Sequence, residues 1–140
     1  RDPEVEGTVV HGAGRGRTIG VPTANLAPET ELLPATGVYA AWAELLDAER
    51  RVTARYPAAV NVGHNPTFAA AGGAPLTIEA HLLEGSGSAT RAPVPDLYGH
   101  AVRLALRARL RGEQRFPSVE ALVAQIRTDI DAVARLLAGH

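Results

Sequence analysis

Apolar and polar residues alternate along most of this chain, and the period lengthens near its end. Val5–Val10 (VEGTVV) alternates roughly and reads as a strand. Gly37–Leu46 (GVYAAWAELL) reads as another, with a turn at Asp47–Arg51. Val52–Val62 follows as a strand, and Pro57 within it predicts an edge position or a bulge, because proline donates no ladder bond. In Leu76–Leu83 (LTIEAHLL), Leu76, Ile78, Ala80 and Leu82 share one face, and Thr77, Glu79 and His81 share the other. Gly99–Arg111 alternates best: Val102, Leu104, Leu106, Ala108 and Leu110 point inward, and Arg103, Arg107, Arg109 and Arg111 outward.

Beyond Phe116 the apolar spacing becomes three and four. Val119, Leu122, Val123, Ile126, Ile130, Val133 and Leu137 form one face of a helix. Ser118 is a suitable N-cap and Gly139 a C′ residue. Between the periodic segments lie His11–Leu26, residues 27–36, Gly63–Pro75 and Gly85–Pro95, all rich in turn formers. Short strands followed by one terminal helix predict a small closed or nearly closed antiparallel barrel with the helix packed on it. Nothing divides the chain, so residues 1–140 read as a single domain.

Composition narrows the function classes. The net charge of −1 gives no broad attraction to nucleic acid or to a membrane surface. No apolar run approaches the roughly 20 residues of a membrane span, and no signal peptide is visible, so a cytoplasmic location is expected. Cysteine is absent, which removes disulfides and zinc–thiolate sites. All 14 basic residues are Arg, which excludes a P-loop lysine and any Schiff base. Met is absent as well, and a chain opening on Arg1 reads as a piece excised from something longer.

The stretch His11–Leu26 (HGAGRGRTIGVPTANL) holds the densest candidate chemistry. Gly12, Gly14, Gly16 and Gly20 allow backbone N–H groups to approach a ligand. Arg15 and Arg17 bring charge suited to phosphate. Thr23 and Asn25, in the unit Pro22–Asn25, are hard oxygen ligands suited to Mg²⁺. A triphosphate–metal site and an ordinary turn-rich connection are equally compatible with this stretch alone. Glu79 is the best candidate acid or base, set against the commoner reading of a solvated sheet face. The Arg103, Arg107 and Arg109 row reads as such a solvated face, whereas Arg111 opens the connection LRGEQRF (Leu110–Phe116). The histidines show no metal-ligand spacing; His81 shares the Glu79 face. Tyr98 reads equally as pocket lining or core, and Phe116 as an anchor for the helix entry.

Taken in order, VEGTVVHGAGRGRTIGVPTANL, GVYAAW, NVGHNPTF, IEAHLL, DLYG, LRGEQRF and the terminal helix resemble riboflavin kinase. The resemblance is strongest to the kinase module of bacterial bifunctional riboflavin kinase/FMN adenylyltransferases and runs from Val5 to Leu137. It implies a mainly β fold, a six-stranded antiparallel Greek-key barrel with a C-terminal helix. It implies ATP-dependent phosphorylation of riboflavin to FMN, with ADP released and Mg²⁺ as cofactor. Carried across by motif, Glu79 is the implied catalytic base, and Thr23 and Asn25 the implied Mg²⁺ ligands. Gly12, Gly14, Arg15, Gly16, Arg17, Gly20, Pro22, Thr23, Asn25, His81, Leu97 and Tyr98 are the implied ATP-binding residues. Arg111, Glu113 and Phe116 are implied to border the flavin. An FMN adenylyltransferase domain is the implied upstream neighbour; neither nucleic acid nor a membrane is an expected partner. Two features depart from the family: Val21 stands where Phe often precedes PTAN, and the loop containing GSGSATRAPVP is long. The alternative is a non-catalytic flavin- or nucleotide-binding barrel. A nucleic-acid-binding barrel is disfavoured by the near-zero charge and few aromatics.

Overall fold

Each alternating segment forms a strand, and the strands close on themselves. The computed structural model describes residues 4–10, 23–28, 34–64, 76–83 and 97–138. The strands are β1 (Glu4–Val10), β2 (Thr23–Pro28), β3 (Gly37–Leu46), β4 (Val52–His64), β5 (Leu76–Leu82) and β6 (Ala101–Arg111), followed by helix α1 (Val119–Leu137). They form a closed barrel in the order β1-β2-β5-β4-β3-β6, and every pairing is antiparallel. Strands β3, β4 and β5 are successive neighbours, and β6 returns to lie beside β3, which is the Greek key. Closure leaves no unpaired edge among these strands. The Gly-rich residues 11–22 and the segments 29–33, 65–75, 84–96 and 139–140, the last with the expected C′ residue Gly139, lie outside the described residues.

Alternation decides what fills the barrel. Val5, Val9, Leu26, Tyr56, Val60, Ile78, Leu82 and Leu104 belong to one interior cluster. A second cluster lies outside the barrel wall, where Ala40, Trp42, Ala59, Leu83 and Ala105 meet Val133 and Leu137 of α1. The alanines are small enough to let the helix sit close to the sheet. Val133 is fully buried there, and burying one such side chain is worth about 1.5–3 kcal/mol. Ser118 caps α1 as its sequence predicts, its hydroxyl accepting a 3.1 Å bond from the N–H of Ala121.

Three features differ from the reading of the sequence. The unit Thr23–Asn25 starts a strand, β2, instead of lying in a loop. Its signal is weak because TANLAP has no β-branched run and ends in proline, and the ladders to β1 and β5 impose the extended form. Pro57 sits in a central strand, not at an edge. Its carbonyl accepts from the N–H of Leu83 at the last rung beside β5. The missing proline N–H therefore costs only one terminal bond. Third, Ala108 and Leu110 do not enter the barrel but pack with the α1 cluster. The β3–β6 register shifts between Val38 and Tyr39 and between Ala40 and Ala41. Each such bulge inserts one residue and turns the following side chains to the opposite face.

The arginine row also acquires partners. Arg103 donates a 2.8 Å bond to Glu44 and lies 3.8 Å from Glu6, which in turn pairs with Arg50. The Glu44 hydrogen bond pushes the Arg103 pKa above its ordinary value, so the Arg103 guanidinium stays charged at any working pH. Arg109 donates to the carbonyl of Thr36. These are partly exposed contacts that tie strand ends together and add little stability individually.

Candidate active site across five strands

Cross-strand register places the candidate residues. Asn25 on β2 pairs with Glu79 on β5, and Glu79 pairs on its other side with Asn61 on β4. Asn61 pairs with Val38 on β3, and Val38 with Arg111 on β6. Directly paired residues of antiparallel strands point to the same face, their Cβ atoms about 4.5–5.5 Å apart. Asn25, Glu79, Asn61, Val38 and Arg111 therefore form one continuous row on the outside of the barrel. Ala24, Leu26, Ile78, Ala80, Val60 and Val62, which alternate with them, face the interior.

That row has an unusual environment for an outer face. Glu79 is 8% exposed and His81 5%, so neither belongs to a solvated sheet surface. Burial of a carboxylate outside the hydrophobic interior is uncommon for a surface charge and marks Glu79 as a candidate functional group. Thr23 pairs with His81, and His81 with Ala59, forming a second row beside the first. Ala59 itself packs under α1, so the helix borders this side of the patch.

The connection after β6 reaches the same face. A Cβ built on Gly63 would lie 2.8 Å from Oε2 of Glu113 and 3.5 Å from Oδ1 of Asn61. The Glu113 carboxylate thus lies over the backbone of β4, in a space that a larger residue at 63 would fill. Thr77 steadies this strand pair by donating to the carbonyl of Gly63 at 3.2 Å.

Arg111 is anchored by the helix. Its Nε and Nη2 donate to the two carboxylate oxygens of Asp129 at 3.2 and 2.8 Å. Gln125 donates to the same Oδ1 at 3.0 Å, and Arg111 also donates to the carbonyl of Gly112. The guanidinium carbon stands 5.7 Å from the centre of the Phe116 ring, within cation–π range. Arg111 and Phe116 are thus held against each other between sheet and helix, with Glu113 in the connection that joins them. Phe116 is half-buried beside Arg111 just before the N-cap, in keeping with a helix-entry anchor.

The remaining candidates are placed less centrally. Leu97 is buried in the barrel interior, so only its backbone is left to meet a ligand on the outer face. Tyr98 is 54% exposed at the tip of a turn closed by the bond from His100 N–H to the Leu97 carbonyl. Gly99 in that turn has φ +83°, which glycine adopts without strain. Its N–H donates to Val9, which fixes the turn beside the end of β1, where the Gly-rich stretch departs. Gly12, Gly14, Arg15, Gly16, Arg17, Gly20 and Pro22 lie outside the described residues, as does the side chain of Thr23.

With a buried carboxylate, flanking amides and an arginine segment on one face, the chain can be set beside known proteins. The family described as "Flavokinase: Riboflavin kinase" matches residues 1–137. The chain belongs to the riboflavin kinase family. It is 39% identical over 125 residues to the bifunctional riboflavin kinase/FMN adenylyltransferase of Escherichia coli (strain K12), covering 89% of this chain and 35% of that protein. It thus spans about a third of the length of that relative. Among solved structures, a riboflavin kinase from Trypanosoma brucei superposes with TM-score 0.62 at 25% identity, covering 96% of this chain and 78% of the other. A protein from Streptococcus pneumoniae named as a macrolide-efflux protein superposes with TM-score 0.73 at 33% identity, covering 96% of this chain and 38% of its own.

Sequence reasoning missed two residues. Asn61 lay within the quoted motif NVGHNPTF, yet it acquires significance only through its register with Glu79. Asp129 sits on the apolar stripe of α1, and a lone acid there is the signal that could have found it.

Proposed function

We propose that this chain transfers the γ-phosphoryl group of ATP to the ribityl 5′-hydroxyl of riboflavin, giving FMN and ADP. The observation that carries this reading is the outer-face row, in which a buried carboxylate stands between the PTAN residue Asn25 and the segment Arg111–Phe116. Nucleotide phosphates lie at the Asn25 end, and the flavin lies towards Arg111, Glu113 and Phe116. Glu79, between them, receives the acceptor hydroxyl. Its carboxylate takes the hydroxyl proton as the new oxygen–phosphorus bond forms and the bond to the leaving ADP oxygen breaks. Phosphoryl transfer tends to be loose, so orienting the hydroxyl is the larger part of its work until late in the reaction.

Mg²⁺ fits the donor set present. Among the described residues no three His, Asp or Glu side chains gather into a ready-made cage. Mg²⁺ keeps several waters and is held by few protein groups together with substrate phosphates. The hydroxyl of Thr23 and the amide oxygen of Asn25 would hold it, and it would neutralise charge on the phosphates. Thr23→Val should weaken binding of Mg²⁺·ATP in titration calorimetry by about tenfold, the loss expected for one polar contact. Unchanged nucleotide affinity would remove Thr23 from the metal site. Backbone N–H groups of Gly12–Gly20, with Arg15 and Arg17, would complete the phosphate contacts. His81 and the backbone of Leu97 and Tyr98 would border the nucleotide.

The bacterial relatives join kinase and adenylyltransferase in one chain. The same pairing, with the adenylyltransferase consuming FMN, is proposed for the full protein. The direct test incubates the chain with riboflavin, ATP and Mg²⁺ and separates the flavins by chromatography. Formation of FMN with stoichiometric ADP is the expected outcome. Flavin binding without product would point instead to a non-catalytic flavin-binding barrel.

A further inference from the structure

We infer that Asn61 is a specificity-determining residue that binds the hydroxyls of the polyol chain carried by the flavin. The inference rests on the proposed kinase reading and deepens it. Asn61 pairs directly with Glu79 on one side and with Val38 on the other, and Val38 leads to Arg111. It is therefore the one polar residue in the row between the carboxylate that meets the acceptor hydroxyl and the segment that borders the ring. A substrate with its reacting end at Glu79 and its ring towards Arg111–Phe116 must cross β4 at this position.

The chemistry of the side chain suits that position. A polyol offers hydroxyls that both donate and accept, and an amide does the same through its NH₂ and carbonyl oxygen. Asn61 is half-buried, so its bonds are partly shielded from competing water. A Cβ built on Gly63 would meet both Oε2 of Glu113, at 2.8 Å, and Oδ1 of Asn61, at 3.5 Å. The amide and the Glu113 carboxylate thus border one small space over the backbone of β4. Glycine at 63 lets the Glu113 carboxylate approach the β4 backbone beside the Asn61 amide, so an amide and a carboxylate stand next to each other as partners for successive hydroxyls of the chain.

The test compares two ligands that share a ring. Riboflavin carries the ribityl chain; lumiflavin carries a methyl group in its place. Flavin fluorescence titrations are run on the wild-type chain and on Asn61→Ala, with Asn61→Ser as a second variant that keeps one hydrogen-bonding group. For Asn61→Ala the expected Kd for riboflavin rises about tenfold, and that for lumiflavin stays within about twofold. Asn61→Ser should fall between wild type and Asn61→Ala, and it serves alone if Asn61→Ala does not fold. An equal rise for both ligands would mean that Asn61 supports the scaffold or the ring, and would overturn the inference. So would an unchanged riboflavin Kd. A wild-type chain that binds neither flavin and forms no FMN rejects the kinase reading itself, an outcome distinct from the other two.

Discussion

Glu79→Gln is expected to lower kcat by about 10²–10⁴-fold, the usual effect of losing a general base. The substitution is nearly isosteric, and the amide still fits between Asn25 and Asn61 in the same row. Fold and substrate binding should therefore persist, with Kd values for riboflavin and Mg²⁺·ATP changed by no more than about threefold (a loss well under one hydrogen bond). Single-turnover kinetics with bound substrates would isolate the chemical step from product release. Turnover close to wild type would remove Glu79 from the role of base. A decrease accompanied by collapse of both affinities would assign it to site architecture. Burial sharpens the expectation: at 8% exposure Glu79 has little water to stand in for its carboxylate once it is replaced.

The second large effect concerns stability. Asp129→Ala should destabilise the fold by about 3 kcal/mol, the low end of the range for breaking a buried ion pair. The pair is bidentate, and Gln125 adds a third bond to the same carboxylate. Removing it leaves the Arg111 guanidinium with the Gly112 carbonyl and the Phe116 ring in place of a carboxylate partner. The Arg111 side chain keeps 21% exposure, so water offsets part of the loss. For a domain of this size the shift in Tm is roughly 10 °C, measurable by calorimetry or circular dichroism. Replacing the pair together, Arg111→Met with Asp129→Leu, should recover most of that stability, because apolar residues of similar volume remove both charges at once. A Tm unchanged by Asp129→Ala would mean that solvent replaces the aspartate at no cost. A double variant as unstable as the single one would show that the pair contributes more than compensation of its own burial.

Much of the architecture was legible because it follows from local periodicity. Alternation in Gly37–Leu46 and Leu76–Leu82 needs only the pleat of a strand, and the three-and-four spacing after Ser118 needs only the helical repeat. Where the signal depended on long-range pairing it failed. β2 contains proline and alanine and is extended because β1 and β5 flank it. The bulges that turn Ala108 and Leu110 towards α1 arise from a mismatch of β3 and β6, which no single strand encodes. The same distinction governs the site. Glu79 was visible as a charged residue facing away from the core, and the motif resemblance marked Asn25, Arg111, Glu113 and Phe116. Alternation alone assigned Glu79 an exposed face, however, whereas the fold buries it.

What the sequence determined by itself was the set of elements and the family to which their motifs belong, since side-chain period and capping are properties of neighbouring residues. Only the tertiary structure decided that Asn25, Glu79, Asn61, Val38 and Arg111 stand in one row. These residues are far apart in the chain, and their alignment is set by strand register, which every ladder of the closed barrel constrains at once. The tertiary structure also decided that Arg111 is held by Asp129. An acid on the apolar stripe of a helix is unfavourable until packing brings a partly buried guanidinium within 3 Å of it.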